Sequence, residues 1–307
     1  MTNPLTLGIE LDEGLARAVL VDQGGKVVAR AEEAQHESSE IAVRAARSVL
    51  AAAKIAQPIA VGVAAVESED RASRSIVDAL AAELKTRTSV PILDVGQACV
   101  LAEAWCGAGQ GARHVVAFLV GTRVTAGIVS DGALLKGARG LAGSVAWLAL
   151  NPVEREDYRR LGCLEAEAGA AGIVRRLVWR IKSGDRSRVL EMVDGDFSAI
   201  RIGHVLTGAR EGDGVAISVV RDTVKYLGMA ISNIAAIVDP ELVVLRGIVQ
   251  SASDLLLDPI RQECARRMAP AVFARLRIEL STLGEDAAAL GAARHAMISG
   301  HDRPVGS

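Results

Sequence analysis

Short apolar runs separated by polar or glycine-containing turns predict alternating strands and helices along the first third of the chain. The predicted elements are strands over residues 5–11, 16–21, 27–31, 59–64 and 90–93, and helices over 39–55, 71–85 and 97–108. Glycine pairs such as Gly24-Gly25 mark the tight turns between strands. Three strands followed by alternating helices and strands indicate an α/β domain.

The same order of elements begins again at His114. Apolar runs over 115–120 and 124–129 flank a Gly121-Thr122 turn, and an Asp131-Gly132 turn follows the second run. The remainder predicts a mostly helical stretch over 163–237, strands over 242–245 and 276–280, and helices over 253–268 and 285–297. Two successive halves of this kind predict two α/β domains.

Composition narrows the class of protein. Half of the 307 residues are hydrophobic, but only three Phe, three Trp and two Tyr are present, so aliphatic side chains and alanine must form the core. The net charge of −2 gives no general attraction to nucleic acid. The four cysteines show no pairing pattern, and no apolar run approaches a membrane span, so we expect a soluble cytoplasmic protein without membrane or nucleic-acid partners.

The first candidate chemistry lies in the hairpin around Gly121. Glycine in such a turn allows backbone N–H groups to approach a phosphate, because no side chain blocks them. The stretch 114–147 reads HVVAFLVGTRVTAGIVSDGALLKGARGLAGSVAW, LGCLEAEAG follows at 161–169, and AEAWCGAG precedes it at 102–109. A long helix that runs into a strand, together over 210–247, and EDAAALGAARHAM at 285–297 complete the pattern.

In their order and spacing these segments resemble the ROK family of repressors, open reading frames and sugar kinases, over nearly the whole chain. The resemblance implies an actin-like ATPase (ribonuclease H-like) fold, with two α/β domains about a central cleft. We predict one domain over 1–112 plus 285–300, a second over 113–284, and a loose tail over 301–307. It also implies a homodimer with a sugar as its small-molecule ligand.

The resemblance places nucleotide and phosphate contacts at Glu10, Gly121, Thr122, Arg123 and Gly247. Two glycines of the family's first phosphate loop are replaced by Asp12 and Glu13, whose negative charges would repel a triphosphate. Two interpretations of Arg123 are open: its side chain pairs with phosphate oxygens, or it fills the space that a phosphate would occupy. ATP and magnesium are therefore expected only if the protein is an active kinase.

The family's catalytic base, an aspartate, aligns with Val95, and Asp94 precedes it. Valine cannot accept a proton, and general-base catalysis is worth about 10²- to 10⁴-fold in rate. Asp94 either substitutes as the base or caps the following helix, with Gln97 completing a capping box; we expect the cap.

Two family positions for sugar contacts keep a usable residue, Gly143 and Glu165. Glu165 is either a sugar ligand or the negative charge at the start of a helix. Trp147 stands where the family has a sugar-binding histidine. We expect Trp147 to pack into the core of this half and help to order its loop, with stacking on a sugar ring as the alternative.

The family's zinc ligands, one histidine and three cysteines, align with Trp147, Glu156, Tyr158 and Cys163. One soft ligand in four does not form a closed tetrahedral site, so no zinc is expected. The family's repressors carry a DNA-binding module ahead of the kinase-like body, whereas a strand is predicted here from Leu5 onwards. Direct DNA binding is therefore not expected.

Three functions follow for this sequence. We expect a ROK-family pseudokinase, catalytically silent or impaired, that senses a small molecule or binds a partner. The alternatives are an active ATP-dependent sugar kinase of the glucokinase or N-acetyl sugar kinase type, and a structural subunit whose cleft is closed.

Overall fold

The computed structural model describes residues 4–12, 14–34, 40–66, 71–86 and 89–301. Glu13 and residues 302–307 of the predicted tail lie outside these ranges. The strands of the described residues are β1 Thr6–Asp12, β2 Leu15–Val21, β3 Val27–Ala34, β4 Ala60–Ala65, β5 Ile92–Asp94, β6 Val115–Val120, β7 Val124–Ser130, β8 Ala133–Leu134, β9 Leu242–Gly247 and β10 Arg277–Leu280.

The helices are α1 Glu40–Ala53, α2 Arg71–Leu84, α3 Val95–Cys106, α4 Glu156–Leu161, α5 Cys163–Ala168, α6 Ala170–Lys182, α7 Ile202–Arg210, α8 Gly214–Val238, α9 Ile248–Ser251, α10 Ser253–Arg267, α11 Pro270–Phe273 and α12 Ala287–His301. Short 3-10 helices span Val145–Trp147, Arg188–Val193, Phe197–Ala199 and Gly284–Asp286. None of the helices within the described ranges is long and apolar enough to cross a bilayer.

Residue contacts divide the chain into two compact units. The first unit comprises 1–117, 127–142 and 281–307, and the second comprises 118–126 and 143–280. The domain limits proposed from the sequence differ from these ranges at several points, and they stay a prediction.

The first unit contains a five-stranded sheet of order β3-β2-β1-β4-β5. β1 and β2, and β2 and β3, pair antiparallel, whereas β1 with β4 and β4 with β5 pair parallel. The parallel register places Leu11 beside Ala65 and Ala65 beside Asp94. The carboxyl ends of three parallel strands therefore meet at one sheet edge, where open α/β sheets carry their ligand sites.

The core of this unit is aliphatic and alanine-rich, as the composition predicts. Leu7, Ile9, Leu20, Val49 and Leu80 are buried in one continuous cluster between the sheet and its helices. Alanines of α12 pack with residues of β2 and α3 in a second cluster. Small side chains allow helix and sheet backbones to approach closely, which lets a core poor in aromatic residues reach interior density.

Glycine makes the α12 contact possible. A Cβ added to Gly8 on β1 would collide with the Ala289 carbonyl, and one added to Gly62 on β4 would collide with the Ala292 carbonyl. The sheet and α12 therefore touch backbone to backbone. This approach explains why glycine stands at these two positions of the buried strands.

The second sheet has the order β10-β9-β6-β7-β8. β7 and β8 are antiparallel, and Asp131 and Gly132 between them both have positive φ, 56° and 77°. This is the conformation of a two-residue hairpin turn of type I′, so the predicted Asp131-Gly132 turn is confirmed. The stretch predicted as mostly helical contains α5 to α8 with two 3-10 helices between α6 and α7.

Candidate functional site

The sheet edge of the first unit brings two sequence-predicted residues to one place. Glu10 lies beside Ala64 of β4, and Ala64 lies beside Leu93 of β5, directly before Asp94. The register thus sets Glu10 and Asp94 at the same end of neighbouring parallel strands. Both side chains are engaged within the protein.

Glu10 faces a cation from its own hairpin. Arg17 on β2 pairs with Glu10 in the strand register, and its Nη1 donates to the Glu10 carboxylate at 3.2 Å. Arg17 also donates to Glu32 at 3.1 Å and to the Glu285 carbonyl at 3.0 Å. The Arg17 and Glu10 side chains are only 14% and 10% exposed. The Glu10 carboxylate therefore already has a protein cation as its partner, one that it shares with Glu32 and Glu285, and a magnesium ion would have to compete with Arg17 for it.

Asp94 caps α3. Its Oδ1 accepts a hydrogen bond from the Gly96 backbone N–H at 2.8 Å, and its backbone is extended, as an N-cap requires. The predicted helix cap is confirmed. Val95, which the family resemblance aligns with the catalytic base, is 3% exposed and packs in the core.

The capping box expected with Gln97 is wrong, because Gln97 contacts a loop rather than the start of its own helix. Its Nε2 donates to the Gly140 carbonyl at 2.8 Å, and the residue is buried. Gly140 lies in the glycine-rich segment that follows β8. Gln97 thus fixes this segment to the start of α3.

In the second unit the Gly121-Thr122 turn closes on itself. The Gly121 N–H donates to the Arg123 carbonyl at 2.9 Å, and the Gly121 carbonyl accepts from the Ala170 N–H at 2.9 Å. Thr122 and Arg123 are exposed. The backbone donor that a phosphate would use at Gly121 is therefore already satisfied.

Glu165 lies in the first turn of α5, where a carboxylate is favourable for the helix. It is buried and accepts from the Val124 N–H at 2.9 Å. Arg123 pairs with it at 3.4 Å, with the arginine side chain 46% exposed. Arg123, the arginine of the second phosphate loop, and Glu165, the candidate sugar ligand, thus form an ion pair with each other.

The two glycine candidates hold backbone turns. Gly143 has a φ of 94°, and its carbonyl accepts from the Ala126 N–H at 2.9 Å and the Val145 N–H at 2.7 Å. Gly247 has a φ of 77°, and a Cβ there would collide with the Val120 carbonyl at the end of β6. Glycine is required at both positions for conformation.

Trp147 does not pack into the core. It ends the 3-10 helix Val145–Trp147 and is 58% exposed, so the expectation of core packing is wrong. The backbone of Gly162 packs closely against the backbone of Ala146 and Trp147, so closely that a Cβ on Gly162 would collide with the Ala146 carbonyl. The contact to this loop is thus made by the backbone, and the indole ring of Trp147 remains in solvent.

Polar groups hold this loop together instead of the expected apolar side chains. Tyr158 donates to the buried Glu167 carboxylate, and Asn151 donates to the Tyr158 hydroxyl at 3.2 Å. Arg155 and Arg176 pair with Glu167 at 3.2 and 2.8 Å. Burial, and then the hydrogen bond and charge of Glu167, raise the pKa of Tyr158.

The four positions aligned with the family's zinc ligands do not fit zinc. Trp147 has no ligating atom, Tyr158 is protonated and bonded to Glu167, and only the buried Cys163 supplies sulfur. Among the residues that the structure describes, no group of three or more His, Cys, Asp or Glu is arranged to hold a metal ion.

Sequence reasoning missed Arg17, and it assigned Gln97 to a capping box rather than to a contact with a distant loop. Arg17 carries a signal, since it is a single cation within the otherwise apolar strand LARAVLV and lies across the hairpin from Glu10. The sequence gives no signal for the loop contact of Gln97 beyond the polarity of its side chain, because its partner Gly140 is 43 residues away. The pairing of Arg123 with Glu165 is equally distant in sequence.

The two sheets, the strand-edge carboxylates and the glycine turns define a protein with the actin-like ATPase fold. The chain belongs to the ROK family, whose model matches residues 7–297. The fold predicted from the sequence and the family resemblance are both confirmed.

Similar proteins include two glucokinases. The chain is 33% identical over 213 residues to a glucokinase of Halalkalibacterium halodurans, spanning 68% of this chain and 64% of that protein. It is 28% identical over 303 residues to a glucokinase of Thermotoga maritima, spanning 94% and 95% of the two chains. A ROK family glucokinase from Streptomyces griseus, solved with glucose and AMPPNP, has a TM-score of 0.76, 24% identity and coverage of 96% and 99%.

Proposed function

We propose that this ROK-family protein is a sugar-kinase-like protein that binds a sugar-type small molecule and transfers no phosphate to it. The single observation that carries the proposal is at the base position. Val95 is buried there, and the adjacent Asp94 carboxylate is bonded to the N–H of Gly96. A group that must accept a proton in the transition state is thus replaced by an apolar side chain and a helix cap.

The residues expected to contact the nucleotide phosphates support the same proposal. Glu10 is paired with Arg17, and the Gly121 N–H is used within its own turn. ATP and magnesium would have to break these contacts before any transfer. Each broken contact to a charged group costs about 1.5 to 3 kcal/mol, which lowers the affinity for nucleotide.

The proposed ligand is a sugar, which we place near Trp147. The indole is an exposed apolar face N-terminal to α5, and Glu165 lies in the first turn of that helix. An aromatic face suits the C–H side of a pyranose, while carboxylate and guanidinium groups suit its hydroxyls. The related glucokinase of Streptomyces griseus was solved with glucose, which supports this ligand class.

An active ATP-dependent sugar kinase is the second candidate, and the similarity to the Thermotoga maritima glucokinase over 94% of the chain favours it. Asp94 would then act as the base with its second carboxylate oxygen. This candidate requires ATP and magnesium to bind where Glu10 and Arg17 now pair.

Thermal unfolding with ligands and a coupled assay of ADP release distinguish the two candidates. Glucose, mannose and their N-acetylamino derivatives should be tested with and without ATP and magnesium. We expect one of the sugars to stabilise the protein, by about 2.7 kcal/mol at 100 times its Kd, and no sugar-dependent ADP release. ADP release that rises when a sugar is added, compared with the same protein and ATP without sugar, would refute the silent function.

The variant Asp94→Asn is the matched control, because asparagine keeps the helix cap but cannot act as a base. If ADP release occurs and Asp94→Asn abolishes it without changing stability, the active kinase with Asp94 as base is correct. If neither sugar nor nucleotide changes the unfolding temperature, both ligand-binding functions fail and the structural subunit is favoured.

The proposal includes a homodimer located in the cytoplasm, with no nucleic-acid partner. Sedimentation velocity across a range of protein concentrations tests the dimer. A single species of 32.1 kDa at all concentrations would contradict it. Retention on heparin at low salt would contradict the absence of a nucleic-acid partner, which the net charge of −2 supports.

A further inference from the structure

A cavity of about 600 Å³ opens in the second unit between α7, α8 and α10. Its volume lies within the range of small-molecule sites in proteins. None of the residues that line it belongs to the candidate sugar site. The cavity is therefore a separate feature of the molecule and is independent of the proposed function.

The walls of the cavity are apolar. Val220 and Val224 lie one helical turn apart on α8, and Leu255 and Pro259 lie one turn apart on α10. Leu255 and Pro259 are only partly buried, so apolar surface is left open between the two helices. An apolar body inserted there would remove this surface from water, at about 25 cal/mol for each Å² buried.

The rim of the cavity is positively charged. Arg221 and Lys225 alternate with the two valines on the same face of α8, and both are exposed. Lys225 pairs with Asp222 at 3.0 Å. Arg221 forms no hydrogen bond or ion pair with any residue in the described part of the chain.

The carboxylate on the wall of the cavity does not cancel this charge. Glu263 of α10 is buried, and both Arg266 and Arg267 pair with it. Burial opposes ionisation of Glu263, but the hydrogen bonds from the two arginines prevail and lower its pKa. Glu263 is thus a neutralised anion, and Arg221 is left as the cation that a ligand can satisfy.

We propose that this cavity binds a small organic acid, with the acid group at Arg221 and Lys225 and an apolar body between Val220, Val224 and Leu255. The charge of the rim excludes a cationic ligand, and the apolar walls exclude a compact, fully hydrated anion. A ligand with an apolar body and a single acidic group matches both the apolar walls and the positively charged rim of the cavity.

Isothermal titration calorimetry with decanoate, kept below its micelle concentration, tests the proposal. We expect decanoate to bind and 1-decanol, which has the same chain without the charge, to bind at least about tenfold more weakly. The variant Arg221→Glu should weaken decanoate binding about tenfold, because a surface charge contact is lost and a repulsion added.

Arg186→Glu is the matched control. Arg186 is exposed in the same unit and does not line the cavity, and its reversal changes the net charge equally. Decanoate affinity should be unchanged in this variant. Equal weakening of decanoate binding in both variants would mean that the effect comes from net charge alone, and it would overturn the proposal. Absence of decanoate binding, or equally tight binding of 1-decanol, would also overturn it.

Leu255→Trp fills the cavity and should abolish decanoate binding, with circular dichroism to verify that the variant is folded. If this variant does not fold, the pair Arg221→Glu and Arg186→Glu still decides. Self-association of the unliganded protein that Arg221→Glu abolishes would assign the cavity to a second copy of the chain and overturn the proposal.

Discussion

The Arg17 guanidinium lies 3.2 Å from the Glu10 carboxylate, across the β1-β2 hairpin and largely out of water. The pair decides what the sheet edge can bind. A carboxylate at this edge is available to a metal ion only if no protein cation neutralises it. The pair also makes the site internally stable without a ligand, because two groups that are costly to bury alone are buried together.

Arg17→Met should destabilise the protein by about 2 to 3 kcal/mol, because the buried Glu10 carboxylate would lose the guanidinium beside it. Urea unfolding measures the change. Adding Glu10→Gln to Arg17→Met should recover most of the loss, since the buried negative charge is then removed. Arg30→Met is the control: Arg30 is 62% exposed in its pair with Asp286, and its loss should cost less than about 1 kcal/mol. Equal costs for the two arginines would contradict the burial argument.

Asp94→Ala should cost about 1 kcal/mol of unfolding free energy, because the N-terminal Gly96 N–H of α3 loses its acceptor. Asp94→Asn should cost much less, since an amide oxygen caps nearly as well as a carboxylate. Chemical denaturation of the three proteins in parallel provides the test. Equal losses in the asparagine and alanine variants would show that the charge of Asp94, and not its capping bond, is what the fold uses.

Tyr158→Phe should destabilise the second unit by about 1.5 to 3 kcal/mol, because the ring stays while Glu167 loses a donor. Tyr226→Phe is the matched control. The Tyr226 hydroxyl accepts a 3.3 Å bond from the neutral Asn151, and its removal should cost about 1 kcal/mol or less. Addition of a metal chelator should leave the unfolding of the wild-type protein unchanged. A chelator-dependent loss of stability would contradict a loop ordered by Tyr158 and Glu167.

His295 should make stability depend on pH on the acid side. Burial, assisted by the charge of Lys136, lowers the pKa of His295 to about 4. The unfolded chain has its ordinary pKa of about 6.5, so it binds the proton first as pH falls. The stabilisation is complete above about pH 6.5 and is lost as pH falls towards the folded pKa. Proton NMR of the His295 ring should show no titration above pH 5. In a His295→Gln variant this part of the acid dependence should disappear.

Gly62→Ala should destabilise the first unit by about 3 kcal/mol, because the new methyl group would meet the Ala292 carbonyl and the strand must move away from α12. Gly203→Ala is the control. Gly203 lies in α7 with open space around it, and alanine there should stabilise the helix by up to about 1 kcal/mol. Thermal unfolding of both variants measures the contrast, and a tolerated Gly62→Ala would disprove the backbone contact.

Local patterns predicted most of the elements. The alternation of apolar runs and turns located β1, β2, β4, β6, β7 and β9 to within a few residues, because the spacing of apolar side chains along the chain follows the period of the strand or helix they form. The Asp131-Gly132 turn and the Asp94 cap were predictable for the same reason, since each depends on residues adjacent in the chain. α4 was missed because a helix of six residues, with no buried face, leaves no periodic signal.

The sequence by itself determined the family and the fold, because these follow from residue identity and order. The tertiary structure alone decided which groups neutralise one another. The pairing of Arg123 with Glu165, the contact of Gln97 with Gly140 and the exposure of Trp147 join segments distant in sequence. Whether a polar side chain serves a ligand or the fold depends on which partner is closest in space, and that distance is set only when the sheets and helices pack.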